Sequence, residues 1–134
     1  MSLHEQLKKK SAWGPLLTRV IIGVIFVVAG SMKLFVGMDG LVTTLTEINF
    51  PAAAFLMWVV AVTEFVGGIM LILGLYTRHA AIPLAAIMVV STILQWSGEL
   101  GAGGFMAAQL DLLLFASLVS LAFTGAGKWA LKDE

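Results

Sequence analysis

Between Ala52 and Leu75 the chain reads AAAFLMWVVAVTEFVGGIMLILGL, twenty-four residues with a single charge, Glu64, near their centre. As a helix this run rises about 36 Å, enough to cross the ~30 Å hydrocarbon core of a bilayer. Glu64 then lies about 18 Å from either end, close to the bilayer midplane. A charge at that depth costs roughly 2.5–3.5 kcal/mol on insertion scales and calls for a partner, a water-filled cavity or a proton. Gly67 and Gly68 follow at i+3 and i+4. They place small residues on the face of the carboxyl, where another helix can approach closely. Glu64 is therefore expected to look into a helix bundle, as a functional group or, less interestingly, as a structural hydrogen-bonding acid.

The remaining composition agrees with a membrane protein. The chain has 134 residues, 60% hydrophobic and 12% charged, about half the charge of an average soluble domain. One domain over 1–134 is expected at this length. There is no cysteine, which removes disulfides, thiol catalysis and thiolate metal sites. A net charge of zero gives no reason to expect a nucleic-acid partner. The first apolar segment is too long for a cleavable signal.

Four spans follow from apolar length: about 16–36, 52–75, 80–96 and 105–124. The fold class is all-α, a four-transmembrane-helix bundle. In the first span Arg19, Gly23, Val27, Gly30, Lys33 and Gly37 recur every three or four residues. They define one face, an expected helix interface. Arg19 is close enough to its end to snorkel, and Lys33 can either snorkel or serve an internal site. Residues 37–50 are too polar to span. Leu41, Leu45 and Ile48 suit a short amphipathic segment on the outer surface. Tyr76 to His79 reads as a tight turn, with Pro83 in the first turn of the third span. At the N-terminus Leu3 and Leu7 suit a surface helix, although Lys8-Lys9-Lys10 reads more simply as a basic flank.

Seven of the eight Lys and Arg residues fall on one side of this arrangement, and Lys33 alone on the other. The positive-inside rule places both termini in the cytoplasm of a cell with its spans in the inner membrane. Lys33, Gln95, Gln109 and Asp111 then belong to the outer third of the bilayer, with Glu64 beneath them. If their faces converge they form a polar pocket in which an acid and a base lower each other's desolvation cost. Trp58, Phe55 and Phe65 could line it, though at helical spacing such residues more often simply pack. His4 and His79 are both on the cytoplasmic side, so neither haem nor metal is expected.

Four pieces of sequence carry a family likeness: Arg19 with Gly23; Gly30-Ser31-Met32-Lys33; Glu64-Phe65-Val66-Gly67-Gly68 with Leu71 to Arg78; and Thr124-Gly125-Ala126-Gly127-Lys128. In this order, from about Arg19 to Lys132, they resemble the DoxX family of small four-helix membrane proteins. The last motif departs from the family pattern, with Trp129-Ala130-Leu131 after Lys128. Gln109 stands where members often carry an acid, with Asp111 nearby. The resemblance implies quinone-linked redox chemistry, because the related DoxD protein is a subunit of thiosulfate:quinone oxidoreductase. On that reading Glu64 and Lys33 handle protons and charge, while Gln95, Gln109, Asp111 and Trp58 hold a quinone. Electrons would come from a partner subunit or a soluble donor. The alternative is a structural subunit whose glycine-rich faces pack into a larger membrane complex or a homo-oligomer. A small-molecule carrier is the third reading.

Overall fold

A computed structural model describes residues 2–132. Among the described residues six α-helices follow in order: α1 (Leu3–Lys9), α2 (Trp13–Ser31), α3 (Asp39–Glu47), α4 (Ala53–Leu73), α5 (Thr77–Ser97) and α6 (Gly104–Thr124). A π-helical turn over Met32–Val36 extends α2. Four segments are long and apolar enough to cross a membrane: Trp13–Val36, Ala53–Leu73, Thr77–Ser97 and Gly104–Thr124. Their outward faces stay apolar. Val28, Val62, Ile82, Ile93 and Leu113 are all exposed, which suits hydrocarbon and not water.

The spans pack as two close pairs, α2 with α4 and α5 with α6. Glycine sets the first pairing. A Cβ on Gly23 would meet the Gly68 carbonyl oxygen at 2.7 Å, and one on Gly68 would meet the Val27 nitrogen at 2.8 Å. Only backbone can occupy those positions, so the two helices approach to backbone contact. The interface face expected on the first span thus packs against α4 from Arg19 to Lys33, while Gly37 at its end is exposed. Gly23, Gly30, Gly67 and Gly68 all pack against neighbouring helices of the chain itself.

The core has two parts. Ile22, Phe26, Leu71, Leu84, Leu118 and Leu121 fill the end near the chain termini. Met38, Leu45, Ala53, Met57 and Ala61 fill the other, under α3. α3 is the expected amphipathic segment between the first two spans, with Leu45 buried and Asp39 in its first turn. The turn before α5 is shorter than the sequence suggests. Gly74 and Tyr76 both take left-handed backbone (φ 71° and 47°), and α5 starts at Thr77. Pro83 therefore lies deeper in the helix than its first turn and removes one rung of the hydrogen-bond ladder. The N-terminal Leu3–Lys9 stretch is helical, with Ser2 capping it by accepting from the Glu5 amide at 3.2 Å.

The largest correction concerns Arg19. It does not snorkel but is fully buried. Nε donates to Ala126 O at 2.8 Å. Nη1 donates to Leu71 O and Ile72 O at 2.9 and 2.8 Å. Nη2 donates to Lys128 O and Trp129 O at 2.6 and 3.0 Å. Leu71 and Ile72 lie in the last turn of α4, where carbonyls lose their i+4 amide partners, and only a 3.3 Å bond from Gly74 N reaches Leu71 O. The guanidinium fork satisfies them and ties the returning C-terminal segment to the bundle. That segment also pairs Leu131 N with Leu73 O and Tyr76 N with Lys132 O, at 3.1 and 2.7 Å.

Candidate functional site

The close approach of α2 to α4 brings Lys33 to Glu64. Gly30 lies one turn before Lys33, and its missing Cβ leaves room for the backbone of Phe65, the neighbour of Glu64. The wider π turn begins at Met32 and is closed by Gly37 N donating to Met32 O at 3.0 Å. Such turns recur where a helix presents a functional side chain. Here Lys33 Nζ reaches Glu64 Oε1 at 2.6 Å. The Glu64 side chain is 4% exposed and that of Lys33 19%. Lys33 thus turns inward and does not snorkel.

The pair stands in the wall of a cavity of about 570 Å³ between the two helix pairs. Its polar lining is Lys33, Glu64, Ser91, Gln95 and Asp111, and the remainder is aliphatic or aromatic. Leu41, Leu45 and Phe50 contribute from α3 and the loop after it. Ser91 Oγ donates to Asp111 Oδ2 at 2.5 Å, joining α5 to α6 across the second helix pair. The cavity therefore has two hydrogen-bonded acids, one on each helix pair, in otherwise apolar walls. Val59, Val90 and Leu110 also line it while being 45%, 44% and 55% exposed. Its mouth is thus bordered by residues on the apolar outer surface.

Four expected site residues, Lys33, Glu64, Gln95 and Asp111, meet at this cavity. Gln109 does not. It lies two residues from Asp111, about 200° round the helix, and is exposed. Trp58 is also outside, 54% exposed, because six residues from Glu64 is about 120° round α4. Phe55 is 69% exposed. Phe65 packs edge-to-face on Phe35, with ring centroids 6.0 Å apart. Ser91 was not foreseen, since one serine in an apolar span gives no signal until Asp111 is placed beside it.

These features define a class: a membrane-embedded four-helix protein with an ion pair in a largely apolar cavity between helices. The model of the DoxX family matches residues 14–97, and the chain belongs to that family. The matched stretch carries Lys33, Glu64, Ser91 and Gln95; Asp111 lies beyond it. Among curated proteins, the chain is 37% identical over 124 residues to "Uncharacterized membrane protein Rv3486" of Mycobacterium tuberculosis (strain ATCC 25618 / H37Rv), covering 84% of this chain and 76% of that one. It is 35% identical over 125 residues to "Putative oxidoreductase CatD" of Bacillus subtilis (strain 168), covering 93% and 89%. No solved structure matches the chain.

Proposed function

We propose that the chain is a quinone-binding membrane subunit of an oxidoreductase, with the ring held in the cavity between the helix pairs. One observation carries this reading: two hydrogen-bonded acids, Glu64 with Lys33 and Asp111 with Ser91, face a cavity with apolar walls. Such a site suits a flat, lipid-soluble molecule with carbonyl oxygens, and its mouth borders the lipid-facing surface. The relative named "Putative oxidoreductase CatD" supports the redox part. When bound, a quinone supplies a carrier for two electrons and two protons. Lys33 and Gln95 are the donors available to its oxygens. Glu64 balances the Lys33 charge and can pass on a proton. Asp111 takes the Ser91 hydroxyl hydrogen, which turns the Ser91 oxygen into an acceptor for the hydroxyl of a reduced quinone. The electrons come from a partner subunit or a soluble donor.

The orientation belongs to the same proposal. Lys128 N donates to Ala12 O, and Lys132 N to Gly74 O, so both terminal segments and the α4–α5 turn share one end of the bundle. The bases cluster there, and the positive-inside rule puts that end in the cytoplasm. The cavity then opens in the outer half of the cytoplasmic membrane. Single cysteines at Ser11 and Glu99, introduced into this cysteine-free chain, test it with an impermeant maleimide. Labelling of the second alone in intact cells is expected.

The function is tested by purifying the protein in mild detergent and measuring quinone in the extracted lipid. Wild type is expected to carry it, while Glu64→Gln and Lys33→Ala lose most of it. A folded wild-type protein that neither carries nor takes up quinone refutes the reading.

A further inference from the structure

A second cluster lies at the opposite end of α2 from Lys33. α1 buries none of its residues within the chain, and Leu3 and Leu7 are 69% and 63% exposed. Leu3 and Leu7 are four residues apart and share one side of the helix, and Lys10 follows as its C-cap. Where α1 meets α2, Leu7, Lys10, Ser11, Trp13, Gly14 and Leu17 line a surface groove of about 580 Å³. Trp13 is fixed in place. Trp129 packs edge-to-face on it, with centroids 4.7 Å apart, and Lys128 Nζ stands 6.0 Å from the centre of its ring. Lys8 and Lys9 end α1, whereas its acid, Glu5, sits in the first turn.

We propose that this groove binds one anionic phospholipid, its phosphate at Lys10, with Lys128 beside it and the Lys8–Lys9 positive charge adding to the local field, and an acyl chain along Leu7 and Leu17. Charge and depth choose the occupant. Lys10 lines an apolar floor at the mouth of a membrane span, Lys128 stands over its Trp13 wall and Lys8 and Lys9 precede it in the chain; the neighbour at highest concentration there is lipid. An aromatic ring at that level suits the boundary between headgroup and hydrocarbon. Basic residues beside a span attract anionic headgroups, each contributing about 1 kcal/mol, or roughly fivefold in binding. The groove shares no residue with the cavity, so the two sites can be tested separately.

Native mass spectrometry of the full chain, titrated with phosphatidylglycerol or phosphatidylcholine, tests the proposal. Wild type is expected to retain one phosphatidylglycerol with roughly tenfold preference or more, falling as salt rises. Lys8→Gln/Lys9→Gln/Lys10→Gln is expected to bring the two lipids close to parity. Its melting temperature should match wild type, because all three side chains are exposed. Leu7→Ser/Trp13→Ala weakens both lipids together, and Lys33→Gln leaves the preference as it was. Equal uptake by wild type, or a preference that survives the triple substitution or falls with Lys33→Gln, overturns the proposal. A dimer mass that the triple substitution abolishes assigns the groove to a second copy and overturns it equally.

Discussion

Gly30 on α2 faces the backbone of Phe65 on α4 so closely that a Cβ would stand 2.6 Å from the Phe65 nitrogen. Three residues after Gly30 is Lys33, and one before Phe65 is Glu64, so this contact governs whether amine and carboxyl can meet. Gly30→Val is expected to force the helices apart, lower stability by about 1–3 kcal/mol and separate the ion pair. Thermal unfolding in detergent checks the first effect. A pair that persists in the structure of the variant would contradict the second.

Lys33 and Glu64 should be energetically coupled. Lys33→Met alone leaves a buried carboxylate without its cation, and Glu64→Gln leaves the amine without its anion. Each is expected to cost about 3–5 kcal/mol, as for other buried pairs broken from one side. The double variant should cost less than the sum by about 1–3 kcal/mol. A double-mutant cycle by denaturant unfolding measures this, and strict additivity would mean that the pair does not form.

Arg19 should hold the C-terminal segment. Five carbonyls accept from its guanidinium, and hydrogen bonds to a charged group are each worth about 1.5–3 kcal/mol. Arg19→Met is expected to lower stability by at least about 3 kcal/mol. It should also open the Lys128 site to a lysine-specific protease. Arg19→Lys should rescue only part, since an ammonium lacks the planar fork. The rate of cleavage after Lys128, read by mass spectrometry, distinguishes the three proteins.

Residues outside the cavity should be dispensable for its ligand. Gln109→Ala and Trp58→Ala are expected to retain quinone as wild type does. Ser91→Ala and Asp111→Asn should each reduce retention severalfold, because they remove one of the cavity's two acid–donor pairs. Equal losses from Trp58→Ala and Ser91→Ala would place the ligand elsewhere.

The spans were legible because long apolar runs leave little choice but a membrane helix. The depth of Glu64 and the glycines beside it made its inward direction legible too. Rotation was harder to read. α4, α5 and α6 are apolar on nearly every side; spacing alone puts Gln109 and Asp111 on different faces of α6, but no hydrophobic stripe says which of them looks inward, or whether a ring such as Trp58 does. Arg19 was misread for another reason. Position near a helix end suggests snorkelling, and no periodicity reports that residues 125–132 fold back over that end and present their carbonyls. Ser91 gains its meaning only from Asp111, twenty residues away on another helix.

The occupant of the cavity can be observed directly by photolabelling with an azido-quinone in native membranes, followed by peptide mapping. Labels are expected on wall residues such as Met57, Met88 and Leu94, displaced by excess unlabelled quinone and reduced in Glu64→Gln. Labels confined to the outward-facing Phe55 and Trp58, or unaffected by competition, would contradict a quinone site between the helix pairs.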